Sequence, residues 1–384
     1  LIDTKEKKEQ FFVFLIFAGF VALLFVPTGF QRPGRELQRR VRAVVLFTDE
    51  SDVAHNGIIR TGTQHLHVRI ASGPFKGKEE ECDNLLMGKL ELDRFYTPGN
   101  TILAVLQLNE AKDKILTVQP VDHYRIRVEA LLVLAFFAFL LLYARWTGLK
   151  AIVSFLFTAA VIWKILIPGF LKGLPPIPLT MIVTAIITAA IIFLVGGRGK
   201  RSLIAFLGAM VGVIATAILA VGFGKAFRVH GAIKPFSEML LYAGFPHLDL
   251  TNILFAGIFL ASSGAVMDIA MDIAASMEEI VLHNPTVERK KLIHSGFAVG
   301  RAVIGTMTTT LLLAYSGGYT ALLMVFMAQG TPGINIVNLG YVAAEILHTL
   351  VGSFGLVLVA PFTAIIGGVM LRPSREKGDQ FTPS

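Results

Sequence analysis

Uncharged, mostly apolar runs long enough to cross a lipid bilayer recur through most of this chain, and no other feature limits its fold as strongly. A hydrocarbon core about 30 Å thick needs about 20 consecutive apolar residues per helical span. Composition agrees, since 54% of the 384 residues are hydrophobic and only 16% are charged, a balance foreign to a water-soluble globule. The chain is expected to be a polytopic α-helical membrane protein, with the lipid bilayer as its first partner. It starts at Leu1 rather than Met, so a few residues are expected to precede it. The single Cys82 excludes an internal disulfide and any all-cysteine metal or cluster site within one chain.

The excess of 35 Lys and Arg over 27 Asp and Glu gives +8, which in a soluble protein would suggest nucleic acid. Here the basic residues gather in short connectors between apolar runs, the positive-inside pattern, and no nucleic-acid partner is expected. Lys5, Lys7 and Lys8 precede a first span from Phe11 to Phe30, which is too long for a signal-peptide core. Spans over Val128–Ala144, Ala151–Phe170, Gly173–Gly197, Ser202–Gly224, Leu250–Ala275 and Leu292–Ser316 follow, with Arg145, Lys150, Arg198, Lys200, Arg201 and Arg289–Lys291 at their inner ends. The parity puts both termini in the cytoplasm, with Arg372, Arg375 and Lys377 on the inside. Residues 1–30 read as a cytoplasmic tail and first span, 126–372 as the helical domain and 373–384 as a tail.

From Gln31 to Tyr124 the texture changes to alternation of apolar and polar residues, as in Val41–Phe47, Leu66–Ile70 and Thr101–Leu106. Period two means strands. With turns at Gly73-Pro74, Gly77, Pro98-Gly99 and around Asp113, five strands fit, and residues 31–125 are expected to form a small all-β barrel of OB or SH3 type. One preceding span puts it on the extracytoplasmic side, where it can recruit a protein partner.

Between Arg301 and Glu345 there is no charged residue, a stretch roughly twice what one span requires. Gly317-Gly318 and Gly330-Thr331-Pro332-Gly333 are the breakers. The expectation is a re-entrant half-helix from Tyr319 to Gln329, a broken segment, an ascending helix over Ile336–Val351 and a last span ending at Leu371, for about eight spans in all.

Ionisable side chains in hydrocarbon are expensive and need partners or a function. Asp268 and Asp272 share a helix face lined by small residues, near Ser262 and Ser263. A hairpin centred near Pro285 brings them to the depth of Arg301, followed by Thr306 and Thr309, and an ion pair across the hairpin is expected. Two carboxylates facing one guanidinium leave one free to exchange a proton, so this set reads either as a proton pathway or as a lock between helices. The second constellation is Tyr341, Glu345 and His348 on one face, with Asn335 and Asn338 in the broken segment; helices broken at membrane depth build substrate and ion sites in transporters, although a loop packed for stability reads the same way.

Other signals are weak. His65 and His67 share a strand face but lack a third ligand nearby, so a solvated face is expected and no metal. Lys164 is expected to snorkel to the interface. Gly196-Gly197-Arg198-Gly199-Lys200-Arg201 has no strand before it and is no phosphate loop. No HExxH, GxSxG or nucleotide-binding pattern occurs, so neither an enzyme nor a cofactor is expected.

The run from Ala261 to Ile280, with Gly300–Leu311, Ala343–Leu347 and Gly352–Pro361, resembles the signature of the YibE/F-like family of bacterial multi-pass membrane proteins. The resemblance covers about Val128 to Leu371. The front domain is similar too, in Ser72-Gly73-Pro74-Phe75-Lys76-Gly77-Lys78 and the Tyr96–Asn100 turn. Asn100 and Ala302 depart from the pattern; the second leaves Arg301 without an acidic neighbour in sequence. The resemblance implies the bacterial cytoplasmic membrane but supplies no substrate. The functional expectation is a secondary transporter or ion- or proton-coupled permease for a small solute or ion, and the rival is a scaffold that recruits a partner through residues 31–125.

Overall fold

The computed structural model describes residues 2–30 and 35–371. Arg372, Arg375 and Lys377 lie outside the described residues, as do the side chains of Lys5, Lys7 and Lys8. The chain divides into two compact units, residues 29–142 in one and residues 1–28 with 143–384 in the other.

The smaller unit carries five strands: β1 (Gln38–Asn56), β2 (Ile59–Ile70), β3 (Glu79–Met87), β4 (Thr101–Leu108) and β5 (Ile115–His123). All pairs are antiparallel and the order is β3-β2-β1-β4-β5. The alternation seen in the sequence becomes inside and outside: Ile102, Ala104, Leu106 and Leu108 of β4 are all buried, against Val41, Ala43 and Val45 of β1 and Leu66, Val68 and Ile70 of β2. Irregularities in β1 between Val45 and Phe47 and between Asp49 and Asp52 bend this long strand, as β-bulges do. The end strands β3 and β5 line a common cleft of about 430 Å³ with Glu81, Asp83, Thr117 and Gln119, so the sheet is a nearly closed barrel. One corner missing from the sequence reading is Asn56-Gly57, where Gly57 takes φ +65° between β1 and β2.

The Gln64 amide, fully buried, clamps the β3–β4 connection. Its Nε2 donates to the Tyr96 carbonyl at 2.7 Å, and its Oε1 accepts from the Tyr96 N–H at 3.1 Å and from Asn84 Nδ2 at 3.1 Å. Every polar atom of the buried amide oxygen and nitrogen thereby has a partner, which a buried amide requires.

The helices are α1 (Ile2–Phe25), α2 (Ile126–Val161), α3 (Ile167–Leu171), α4 (Pro176–Val195), α5 (Lys200–Ala226), α6 (Ser237–Tyr242), α7 (Leu250–His283), α8 (Arg289–Gly317), α9 (Thr320–Ala328), α10 (Gly333–Asn338) and α11 (Gly340–Met370). Among the described residues, six helices are long and apolar enough to cross a membrane, the first being Ile126–Leu171, in which α2 runs through a π-helical turn, Ile162–Leu166, into α3. That helix breaks at Arg145, whose backbone adopts φ +46°.

Helix directions can be read from the contacts. Glu9 on α1 pairs with Lys150 at 2.9 Å, and Lys164 donates to the Leu24 and Val26 carbonyls at 3.1 and 2.8 Å, so α1 runs parallel to the second half of α2. Lys164, expected to snorkel to the interface, satisfies carbonyls that the end of α1 leaves unbonded. The core of the bundle is α5, α7, α8 and α11. A side chain at Gly212 of α5 would meet Val266 of α7 at 2.8 Å and Val359 of α11 at 3.1 Å, and one at Gly300 of α8 would meet Ala360 of α11 at 2.8 Å. Glycine, alanine and threonine at four-residue spacing (Gly208, Gly212, Thr216; Gly296, Gly300; Ala360, Ala364, Gly368) bring these backbones together, which is how helices associate in a solvent that offers no hydrophobic drive.

The last segment differs from expectation. In place of an ascending helix and a separate final span, Gly340–Met370 is one helix of 31 residues containing Pro361. Gly352 and Gly355 are packing positions against Ser262 and Thr216, where absence of a side chain is used without breaking the helix. The contacts Tyr315–His348, Tyr319–Glu345 and Phe326–Tyr341 descend steadily along α11, so α9 keeps the direction of α8 past Gly317-Gly318, and the chain reverses only around Pro332-Gly333.

Candidate functional site

Four-residue and three-residue spacing puts Tyr341, Glu345 and His348 on one face of the first turns of α11. That face is turned toward the end of α8, the start of α9 and the connector after α5. The Glu345 side chain is 16% exposed. Its Oε1 accepts from the Tyr319 hydroxyl at 2.7 Å and forms an ion pair with the Lys234 ammonium. Its Oε2 lies 3.8 Å from His348 Nδ1. The His348 ring stacks on Tyr315 with centroids 4.2 Å apart, and Tyr341 stacks on Phe326 at 6.3 Å.

Lys234 is placed by a tight turn. Gly231 packs against the Leu250 backbone, where no side chain fits, and its N–H donates to Thr251 Oγ1 at 3.3 Å. Asp249 caps α7 by accepting from the Asn252 N–H at 2.9 Å, fixing where that helix begins.

Three cavities meet at this cluster. One of about 270 Å³ lies between α8, α9 and α11, with apolar walls from Leu312, Leu323 and Leu350 and polar groups from Tyr319 and Glu345. A second, of about 260 Å³, is bordered by Lys234, Tyr319, Tyr341 and Glu345, and a third, of about 230 Å³, by Lys234, Gly257 and His348. His348 Nε2 and the Tyr315 hydroxyl are buried without a hydrogen-bond partner among the described residues, which is rare for folded proteins and directs attention to what fills the space beside them. A carboxylate balanced by one ammonium, next to a phenol donor and an imidazole, can take up a proton from water and hand it to His348, or exchange its lysine for another cation.

The other predicted residues go elsewhere. Asp268 and Asp272 are exposed on the outer face of α7, and Arg301 on that of α8. They are level with one another, because Gly300 packs against both Ile273 and Ala360, yet among the described residues no ion pair or hydrogen bond joins either aspartate to Arg301. Ser262 and Ser263 are buried and donate to carbonyls of their own helix, Phe259 at 3.2 Å and Leu260 at 2.7 Å. Thr306 donates to the Val303 carbonyl at 3.0 Å, and Thr309, Asn335 and Asn338 are exposed away from the three cavities. Lys234, Tyr315 and Tyr319 were missed. Tyr315 and Tyr319 do carry a signal, the four-residue spacing around Gly317-Gly318; Lys234, 111 residues from Glu345, carries none.

The barrel unit has its own charged cluster. Hydrogen bonds to Asp52 and Asp83, at 3.1 and 2.6 Å, raise the pKa of His65 above the ordinary imidazole value. Burial works to raise the Asp122 carboxyl, but hydrogen bonds from Arg125, the His123 N–H and Arg94 outweigh it and hold the group at about 2. Burial pushes the Cys82 thiol up to about 12.

Among the described residues, six long apolar helices with a glycine-packed core, joined to a five-stranded, nearly closed barrel, define a multi-pass membrane protein with a small β domain. Residues 132–373 match the family described as YibE/F-like protein, well over half of the chain, and the protein belongs to that family. No curated protein and no solved structure matches the chain.

Proposed function

We propose that this protein is a proton- or ion-coupled permease for a small solute, and that Glu345 is its coupling group. One observation carries the reading: Glu345, held by Lys234, Tyr319 and His348, sits where cavities of about 270, 260 and 230 Å³ meet. Protonation of Glu345 releases Lys234, and a released ammonium beside an apolar cavity favours opening of the connector that carries it. The chemistry needs no catalytic group, so the protein is read as a carrier and not as an enzyme.

The reading takes Ile126–Leu171, which is 46 residues long and broken at Arg145, as two crossings, and α1 as another, for eight in all. The broken segment is then α9, Pro332-Gly333 and α10, at the mouth of the site rather than at mid-depth. Lys150, Arg198 and Arg201 gather at one end of the bundle with Glu9 and Glu278, and Lys234 lies at the other. The basic end is the cytoplasmic one, which puts both termini inside, the barrel, as an OB-type domain, outside, and the chain in a bacterial inner membrane.

The test is solute uptake into proteoliposomes under an imposed proton gradient. Uptake above that of protein-free vesicles, lost in Glu345→Gln, is expected; no uptake of any solute in a broad panel of amino acids, sugars, metals and organic ions contradicts the reading. A scaffold role is favoured by a separate observation, the exposure of Ile58, Ile59, Met87 and Leu90 around the β1–β2 corner and the end of β3. A stable protein partner lost on deletion of residues 32–123 would support it.

A further inference from the structure

On the outward faces of α7 and α8, Asp268, Asp272 and Arg301 have no ion-pair or hydrogen-bond partner among the described residues. Gly257, Ala261, Gly264, Asp268 and Asp272 recur along one exposed stripe of α7, and Arg301, Ala302 and Gly305 lie exposed on α8. A Cβ on Gly257, Gly264 or Gly305 would meet no heavy atom within 4 Å. Both stripes lie near the middle of apolar helices, where lipid cannot solvate a charge.

We infer that this face is an interface between two copies of this chain, in which Arg301 of each copy pairs with Asp268 and Asp272 of the other. Charge complementarity picks the occupant. A foreign partner would have to present an acid to Arg301 and a base to the aspartates at the same level, whereas a second copy carries both. A two-fold axis along the bilayer normal makes the contact reciprocal and preserves depth. The packing of Gly300 against Ile273 puts Arg301 level with the aspartates, as that axis requires. Glycine and alanine on both stripes let the backbones come close enough for the short Asp side chains to reach.

The test uses full-length chains in native membranes. With Cys82→Ala in the background, Gly264→Cys in one tagged chain and Gly305→Cys in a differently tagged, co-expressed chain are expected to form a disulfide across the interface on mild oxidation. Arg301→Asp is expected to lower that cross-link at least tenfold, while native mass spectrometry of the unaltered chain shows two copies. Absence of the cross-link in chains that keep Arg301, a monomer only, or one copy bound to a different protein overturns the inference, and a cross-link untouched by Arg301→Asp overturns the pairing.

Discussion

Lys234 and Glu345, 111 residues apart in the chain, form an ion pair whose two side chains are 29% and 16% exposed. Removing one partner of such a pair leaves the other charged and poorly solvated, which is more damaging than removing both. Lys234→Met is expected to destabilise the detergent-solubilised protein by about 2 kcal/mol. The double variant Lys234→Met/Glu345→Gln is expected to lose less than the sum of the two single changes. Thermal unfolding of the four proteins measures this coupling, and strict additivity would mean the pair contributes nothing as a pair.

The close helix contacts give a second expectation. Gly212→Ala places a methyl 2.8 Å from Val266 and 3.1 Å from Val359, and overpacking of this kind costs about 1–3 kcal/mol. Gly222→Ala on the same helix meets nothing within 4 Å and is expected to leave the melting temperature unchanged or slightly raised. Equal effects of the two substitutions would contradict the packing described for α5.

In the barrel, the buried Cys82 thiol reports opening of the domain. Its pKa near 12 leaves almost no thiolate at neutral pH, so alkylation is expected to be at least 100-fold slower in the folded chain than in denaturant. Gln64→Ala strips partners from Tyr96 and Asn84, costs about 2–3 kcal/mol, and is expected to speed that alkylation.

Hydrogen exchange of the barrel amides, corrected for the intrinsic rate at each pH, reads the pH dependence. Asp122, depressed to about 2 in the folded state, stabilises the barrel above its ordinary value of 3.8, and that contribution is lost as pH falls toward 2. His65 is raised, so its contribution is present below 6.5 and is lost as pH rises through its folded value. Barrel stability is therefore expected to be highest between about pH 4 and 6. His65→Asn should flatten the alkaline side and leave the acid side intact; a profile unchanged by His65→Asn would contradict the clamp.

Periodicity made much of this fold legible. The alternation of Ile102, Ala104, Leu106 and Leu108 announced a strand, and the spacing of Glu345 and His348 announced a shared face, because both are local properties of the backbone. The common depth of Asp268, Asp272 and Arg301 also followed from hairpin geometry. What a helical repeat does not reveal is which way a stripe points when every side of the helix is apolar or small. On α7 the side bearing Val266 and Ile273 is claimed by α5, α8 and α11, which leaves the aspartates outward. Gly352 and Gly355, a small-residue run in sequence, act as contact points against Ser262 and Thr216 in the fold. The Lys234–Glu345 pair depends on long-range packing and leaves no mark at either position.

Proton binding at Glu345 is the step everything functional rests on, and charge movement after a pH jump on a solid-supported membrane measures it most directly. The expected result is a transient current in proteoliposomes of the unaltered chain that falls at least tenfold in Glu345→Gln, with the altered protein still folded by thermal melt. Currents of equal size in the two proteins, or none in either, would contradict it.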